Sequence, residues 1–217
     1  MEIRYWEAPD LPFDRGEIAR YASLAGAADM PAELDRCLAE VRGKVRCRCV
    51  WRLYPAEGEG GMLDLGFART ESRSLSLFLK DCRRIVLFAM TAGFEMDRLI
   101  ARASLRSPLE GLLTHAIGAE RVETACDRFC RDLPELLQNE IPGVTVKGRF
   151  SPGYGDLPLA LQRDVFSALD CERRLGLTLQ DSLLMIPSKS VTALVGLRTS
   201  KTGENRGAIA QSGCLSA

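Results

Sequence analysis

Apolar and polar positions change their period several times along the chain, and each change marks an element. Residues 45–53, VRCRCVWRL, alternate strictly, with Val45, Cys47, Cys49, Trp51 and Leu53 on one face and Arg46, Arg48 and Arg52 on the other. A period of two predicts a half-buried strand. RIVLFAM at 84–90 is almost wholly apolar and predicts a buried strand, ended by Thr91-Ala92-Gly93. VTVKGRF at 144–150 reads as a third strand, whose alternation sets Arg149 on one face with Thr145 and Lys147, opposite Val144, Val146 and Gly148. Two more strands are expected near residues 182–186 and 191–197.

Between these segments the period lengthens to that of a helix. Asp14 and Glu17 form an approximate capping box before an amphipathic stretch that ends at Leu24. Pro31 opens a second helix, with Leu34, Cys37, Leu38 and Val41 at helical spacing. Residues 74–82 and 94–104 read as two further helices, and YPAEGEGGM at 54–62 as a turn-rich connector. Ser107-Pro108-Leu109-Glu110 supplies a cap hydroxyl, a proline at the first helical position and a glutamate at the third, so a long helix should run to about Asp132 or past Pro134. A last helix is expected from Pro158 to Leu175, closed by Gly176. Runs of helices and strands without a strict alternation imply an α+β fold with a twisted, largely antiparallel sheet in a single domain over residues 1–199. The polar, glycine-bearing stretch 200–217 is expected to be a flexible tail.

Composition narrows the function classes. The 217 residues carry 29 Lys+Arg against 29 Asp+Glu, so no net charge argues for nucleic acid or an anionic membrane. The longest apolar run, Ile85–Met90, is too short to span a bilayer, and MEIRYWEAPD lacks the build of a secretion signal. A cytoplasmic protein is expected. Its eight cysteines then read as reduced thiols. Cys47 and Cys49 share a strand face, Cys126 and Cys130 a helix face, and no second pair at zinc-site spacing follows either, so they read as small buried apolar groups. No GxGxxG or P-loop is present. The single histidine, His115, has no nucleophile pattern around it and reads as structural.

Two places could carry chemistry. On the long helix, Leu112, Ala116, Ala119, Cys126 and Cys130 make an apolar stripe that also takes in Glu123. A carboxylate there needs a positive partner, either an arginine at the edge of the core or a cationic ligand. The second place is RFSPGYGDLP, residues 149–158. Pro152-Gly153 predicts the two central residues of a type II turn, which would fix where Arg149 and Tyr154 point, and Asp156 predicts a cap for the helix opened by Pro158. An arginine, a phenol and a helix N-terminus close together suit a ligand with a carboxylate, and they suit an ordinary loop as well.

The run from Arg149 to Leu197 resembles the activation (reactivation) domain of cobalamin-dependent methionine synthase. The resemblance lies in Arg149-x-x-Pro152-Gly153-Tyr154, then Leu169, Glu172, Gly176, Leu179, Ser182, Met185, Pro187 and Ser190-Val191. Upstream, TAGFEMDRLI and PLEGLLTHAIGAERVETACDRF are similar to small stand-alone relatives of that domain. The resemblance implies a chain that binds S-adenosylmethionine and supports reductive remethylation of cob(II)alamin, with cobalamin present only through a partner. The implied partners are a methionine synthase or corrinoid protein without its own activation domain and an electron donor such as flavodoxin. Within the site it implies Arg149 on the ligand carboxylate, Pro152 and Gly153 shaping a close backbone approach, Tyr154 at the sulfonium as the catalytic residue, and Glu123 facing the positive methionyl portion. An S-adenosylmethionine-binding or sensing protein of the same fold without reactivation stays open as the alternative.

Overall fold

A computed structural model describes residues 2–24, 31–59 and 62–199. In chain order the elements are β1 (Arg4–Glu7), α1 (Arg15–Tyr21), α2 (Glu33–Val41), β2 (Arg48–Pro55), β3 (Glu57–Glu59), β4 (Met62–Asp64), β5 (Arg69–Glu71), α3 (Arg73–Leu79), β6 (Arg84–Thr91), α4 (Gly93–Arg106) and α5 (Pro108–Leu136). They continue with β7 (Val144–Phe150), a 3-10 turn at Leu159–Leu161, α6 (Gln162–Leu169), α7 (Cys171–Leu175), β8 (Thr178–Leu179), β9 (Met185–Ile186) and β10 (Ser190–Thr199). Five strands form one antiparallel sheet in the order β1-β2-β6-β10-β7. The α+β architecture with a largely antiparallel sheet is the one the sequence pattern implies.

The central strand β6 is buried from Ile85 to Thr91, which explains its lack of polar alternation. Val86, Phe88 and Met90 point into one core with α1, α2, α4 and α5, while Ile85, Leu87 and Ala89 point into a second with α3, α6 and α7. The sheet is therefore covered on both faces. This corrects the expectation of a half-buried β2. Cys49, Trp51 and Leu53 join the first core as predicted, but Val50 and Tyr54 are buried in the second. Phe129 of α5 is the hub of the first core, with ring centroids 5.4, 5.9 and 5.2 Å from Trp6, Trp51 and Phe88.

Two further expectations are revised. The stretch read as a connector carries β3 and β4, which with β5 make a small antiparallel sheet. The N-terminal β1 pairs with β2 although its four residues are too few to show a period. The helix expected over 158–175 is broken at Asp170, which adopts a left-handed φ of 51° that aspartate tolerates better than most residues. The proposed tail lies outside the described residues. Among the described residues no helix is long and apolar enough to cross a membrane.

Candidate functional site

Arg149 reaches its place through an irregularity in the β7–β10 ladder. Gly196 stands opposite Gly148 and Leu197 opposite Val146, so Lys147 is an extra residue in a β-bulge. Strict alternation would send Arg149 away from Val144 and Val146. The bulge reverses the parity and sets Arg149 opposite Val195, on the face that α5 covers. Lys147 goes to the other face, with its ammonium over the Phe78 ring. The predicted sharing of a face by Arg149 and Lys147 is thus overturned.

On the α5 side Arg149 meets two acids one helical turn apart. Nη1 donates to Glu123 Oε2 at 3.0 Å and Nη2 to Asp127 Oδ1 at 2.7 Å. Two residues singled out from the sequence, Arg149 and Glu123, are therefore partners of each other, and Asp127 is a third member that the apolar pattern did not reveal. The stripe of α5 is also rotated from the expected one: Leu112 is 44% exposed, and the buried line runs through Leu113, Ala116, Ile117, Ala125, Cys126, Phe129 and Leu133. Glu123 sits at its edge. The buried carboxylates of α5 are Glu110 and Glu120, each matched by arginine.

Glu120 builds the wall beside this cluster. It accepts from the Asp14 amide, from the Thr124 hydroxyl and from Arg121, while Arg121 also donates to the carbonyls of Leu11 and Pro12. The capping box expected at Asp14 is thereby split. Asp14 caps the amides of Gly16 and Glu17, but its own amide goes to Glu120, and Glu17 turns to Arg20. Pinned in this way, the N-terminal segment and α5 enclose an open groove of about 890 Å³ lined by Pro12, Phe13, Asp14, Arg15, Thr124, Asp127 and Arg131. Asp127 belongs to both the groove and the Arg149 cluster.

The turn after β7 has the expected form. The Tyr154 amide donates to the Ser151 carbonyl at 3.1 Å, and Gly153 has φ +87°, the value position three of a type II turn requires. Tyr154 itself is 73% exposed and its ring packs edge-on against Phe150 at 6.0 Å, a residue on the face opposite Arg149. The turn thus does not bring guanidinium and phenol into contact. Asp156 does not cap its own helix either. Its carboxylate accepts from the Ser72 hydroxyl and from the amides of Arg73 and Ser74, capping α3 from 83 residues away in the case of Arg73. A cap residue two positions before a proline carries no mark of which helix it serves.

Burial also shifts several thiols of the chain. Burial pushes the Cys47 and Cys171 thiols up to about 12 and that of Cys130 up to about 11, so none supplies thiolate near neutral pH. Among the described residues no three His, Cys, Asp or Glu side chains gather as a metal site would need. Lys189 is only 7% exposed, and its Nζ lies 3.0 Å from His115 Nε2.

No protein-family model and no curated protein sequence matches the chain. The fold is similar to a solved structure described as the MetH reactivation domain bound to AdoHcy, with a TM-score of 0.66 and 17% identity, covering 90% of this chain and 78% of that one. At that identity the likeness defines the class of fold, and this chain has the fold of that reactivation domain.

Proposed function

We propose that the chain binds S-adenosylmethionine at the Arg149 cluster and supports reductive remethylation of cob(II)alamin held by a separate methionine synthase or corrinoid protein. The observation that carries this reading is the fold, shared over 90% of the chain with a domain solved with AdoHcy, the demethylated form of that ligand. The local chemistry is compatible with it. A guanidinium offers a planar two-point fit to the ligand carboxylate, and in this reading Glu123, which accepts from Arg149 Nη1 at 3.0 Å, also supplies a carboxylate to the positive methionyl portion. The groove along the N-terminal segment has the volume for the nucleoside. Pro152 and Gly153 hold the backbone bend at the end of β7, where the positive φ of Gly153 requires glycine.

In this reading Arg149 and Glu123 would hold the amino-acid end of S-adenosylmethionine so that its sulfonium methyl faces a partner protein. Cobalamin on that partner, reduced by a donor such as flavodoxin, would supply the methyl acceptor, and S-adenosylhomocysteine would be left behind. Tyr154 serves at the sulfonium only after its ring leaves Phe150. The packing of Tyr154 on Phe150, on the face opposite Arg149, favours a second reading, in which the chain binds or senses S-adenosylmethionine without reactivation.

Thermal denaturation tests the binding step. S-adenosylmethionine at ~100 times its dissociation constant should stabilise the chain by about 2.7 kcal/mol. Arg149→Met should abolish that gain, and equal gains in both proteins would refute the carboxylate contact. Mixing the chain with a cob(II)alamin protein and a reductant, and following the cobalamin absorbance, separates the two readings: methylcobalamin forms only under the first.

A further inference from the structure

Asp127 stands where the Arg149 cluster opens into the groove, with its side chain 64% exposed and Oδ1 2.7 Å from Arg149 Nη2. A guanidinium has five N–H donors, and the contacts to Glu123 and Asp127 use two of them. Three are left for a ligand carboxylate, so both acids stay in place when it binds. The cluster sets two carboxylates against one guanidinium, an excess of one negative charge. Along the rest of the groove Arg15 pairs with Asp35, and Asp14 and Arg131 bring one charge of each sign.

The amino-acid end of the ligand is itself balanced, an ammonium against a carboxylate. The excess negative charge of the cluster is therefore left for a further cation. In S-adenosylmethionine that cation is the sulfonium, the atom that joins the amino-acid chain to the nucleoside. With the carboxylate at Arg149 and the nucleoside in the groove, the sulfonium falls at the junction of the two, beside Asp127.

Resting on the S-adenosylmethionine reading of this site, we propose that Asp127 selects the sulfonium ligand over its neutral thioether product, S-adenosylhomocysteine. Glu123 faces the ligand ammonium, which both compounds carry, and does not discriminate. When the methyl group leaves with its positive charge, the sulfur becomes neutral and the attraction to Asp127 is lost. The product is then held less firmly than the substrate.

Calorimetric titration of the full chain with S-adenosylmethionine and with S-adenosylhomocysteine tests this, because the two fill the same groove and differ only at sulfur. The unaltered chain should prefer S-adenosylmethionine by about two- to five-fold, the size of one exposed charge pair. Screening should bring that ratio toward one in about 1 M salt, which a contact of the methyl group alone would not do. Asp127→Asn should bring it to about one at low salt. Glu123→Gln should weaken both ligands and leave the ratio as it is. A ratio of one in the unaltered chain, or a ratio that persists in high salt or in Asp127→Asn, overturns the selection and leaves the site reading intact. So does a ratio that Glu123→Gln lowers equally. If neither ligand binds the unaltered chain, the site reading fails and the selection with it.

Discussion

The backbone amide of Asp14 donates to the carboxylate of Glu120 at 3.1 Å, across 106 residues of chain. This contact fastens the N-terminal segment to α5 and so makes one wall of the groove. Glu120 is 1% exposed and Arg121 10%, so the pair is desolvated and depends on its full set of hydrogen bonds. Glu120→Ala leaves Arg121 without its carboxylate and the Asp14 amide without an acceptor. We expect a loss of roughly 3–5 kcal/mol in urea denaturation. Amide exchange of residues 14–17 should accelerate more than that of β6; uniform acceleration would show that Glu120 is not a local fastening.

Asp156 predicts an acid-sensitive link between the turn and α3. The Ser72 hydroxyl first, and then the amides of Ser74 and Arg73, hold its carboxyl well below the usual carboxylate range. The folded state binds this proton less readily than the unfolded chain does. The stabilisation is therefore complete above the ordinary aspartate pKa of about 3.9 and disappears as pH falls toward the folded value. Asp156→Ala should lower the melting temperature at pH 7 and flatten the acid limb of a stability-against-pH curve. An unchanged acid limb would remove Asp156 from that role.

Phe129 joins three aromatic rings from β2, β6 and the N-terminal strand region into one cluster. It is fully buried, and the rings around it cannot collapse together without shifting the sheet against α5. Phe129→Ala should cost about 3–5 kcal/mol by chemical denaturation. A cost below about 1 kcal/mol would mean that the cavity closes and that α5 is not anchored there.

His115 gives a site-specific readout, since the chain has one histidine. Burial first, and the Lys189 ammonium second, lower its pKa, with Asp97 opposing. The unfolded chain then holds more protons just below pH ~6.5, so this contribution to stability is complete above that value and declines as pH falls through the window beneath it. Lys189→Met removes the neighbouring positive charge. The single imidazole resonance should titrate at a higher pH in this variant. A downward or absent shift would separate the two groups.

The resemblance in the Arg149–Tyr154 stretch, the buried strand β6, the start of α5 at Ser107-Pro108 and the turn at Pro152-Gly153 were all legible along the chain. Each rests on forces that act between near neighbours: a proline that presets φ, a hydroxyl that reaches the amides of the next turn, an apolar run that water rejects as a block. Glu123 and Arg149 were both singled out along the chain as candidates, the one from the apolar stripe of the long helix and the other from the resemblance. Their mutual pairing was not, because it depends on the bulge at Lys147, and one extra residue in a ladder exchanges the two faces of every position beyond it. The same holds for Asp127, for Glu120 beneath Asp14, and for Asp156 on α3. An ionic or polar side chain declares its need for a partner in the sequence, whereas the partner is chosen only when distant segments pack, since hydrogen bonds at about 3 Å require a register that no local pattern encodes.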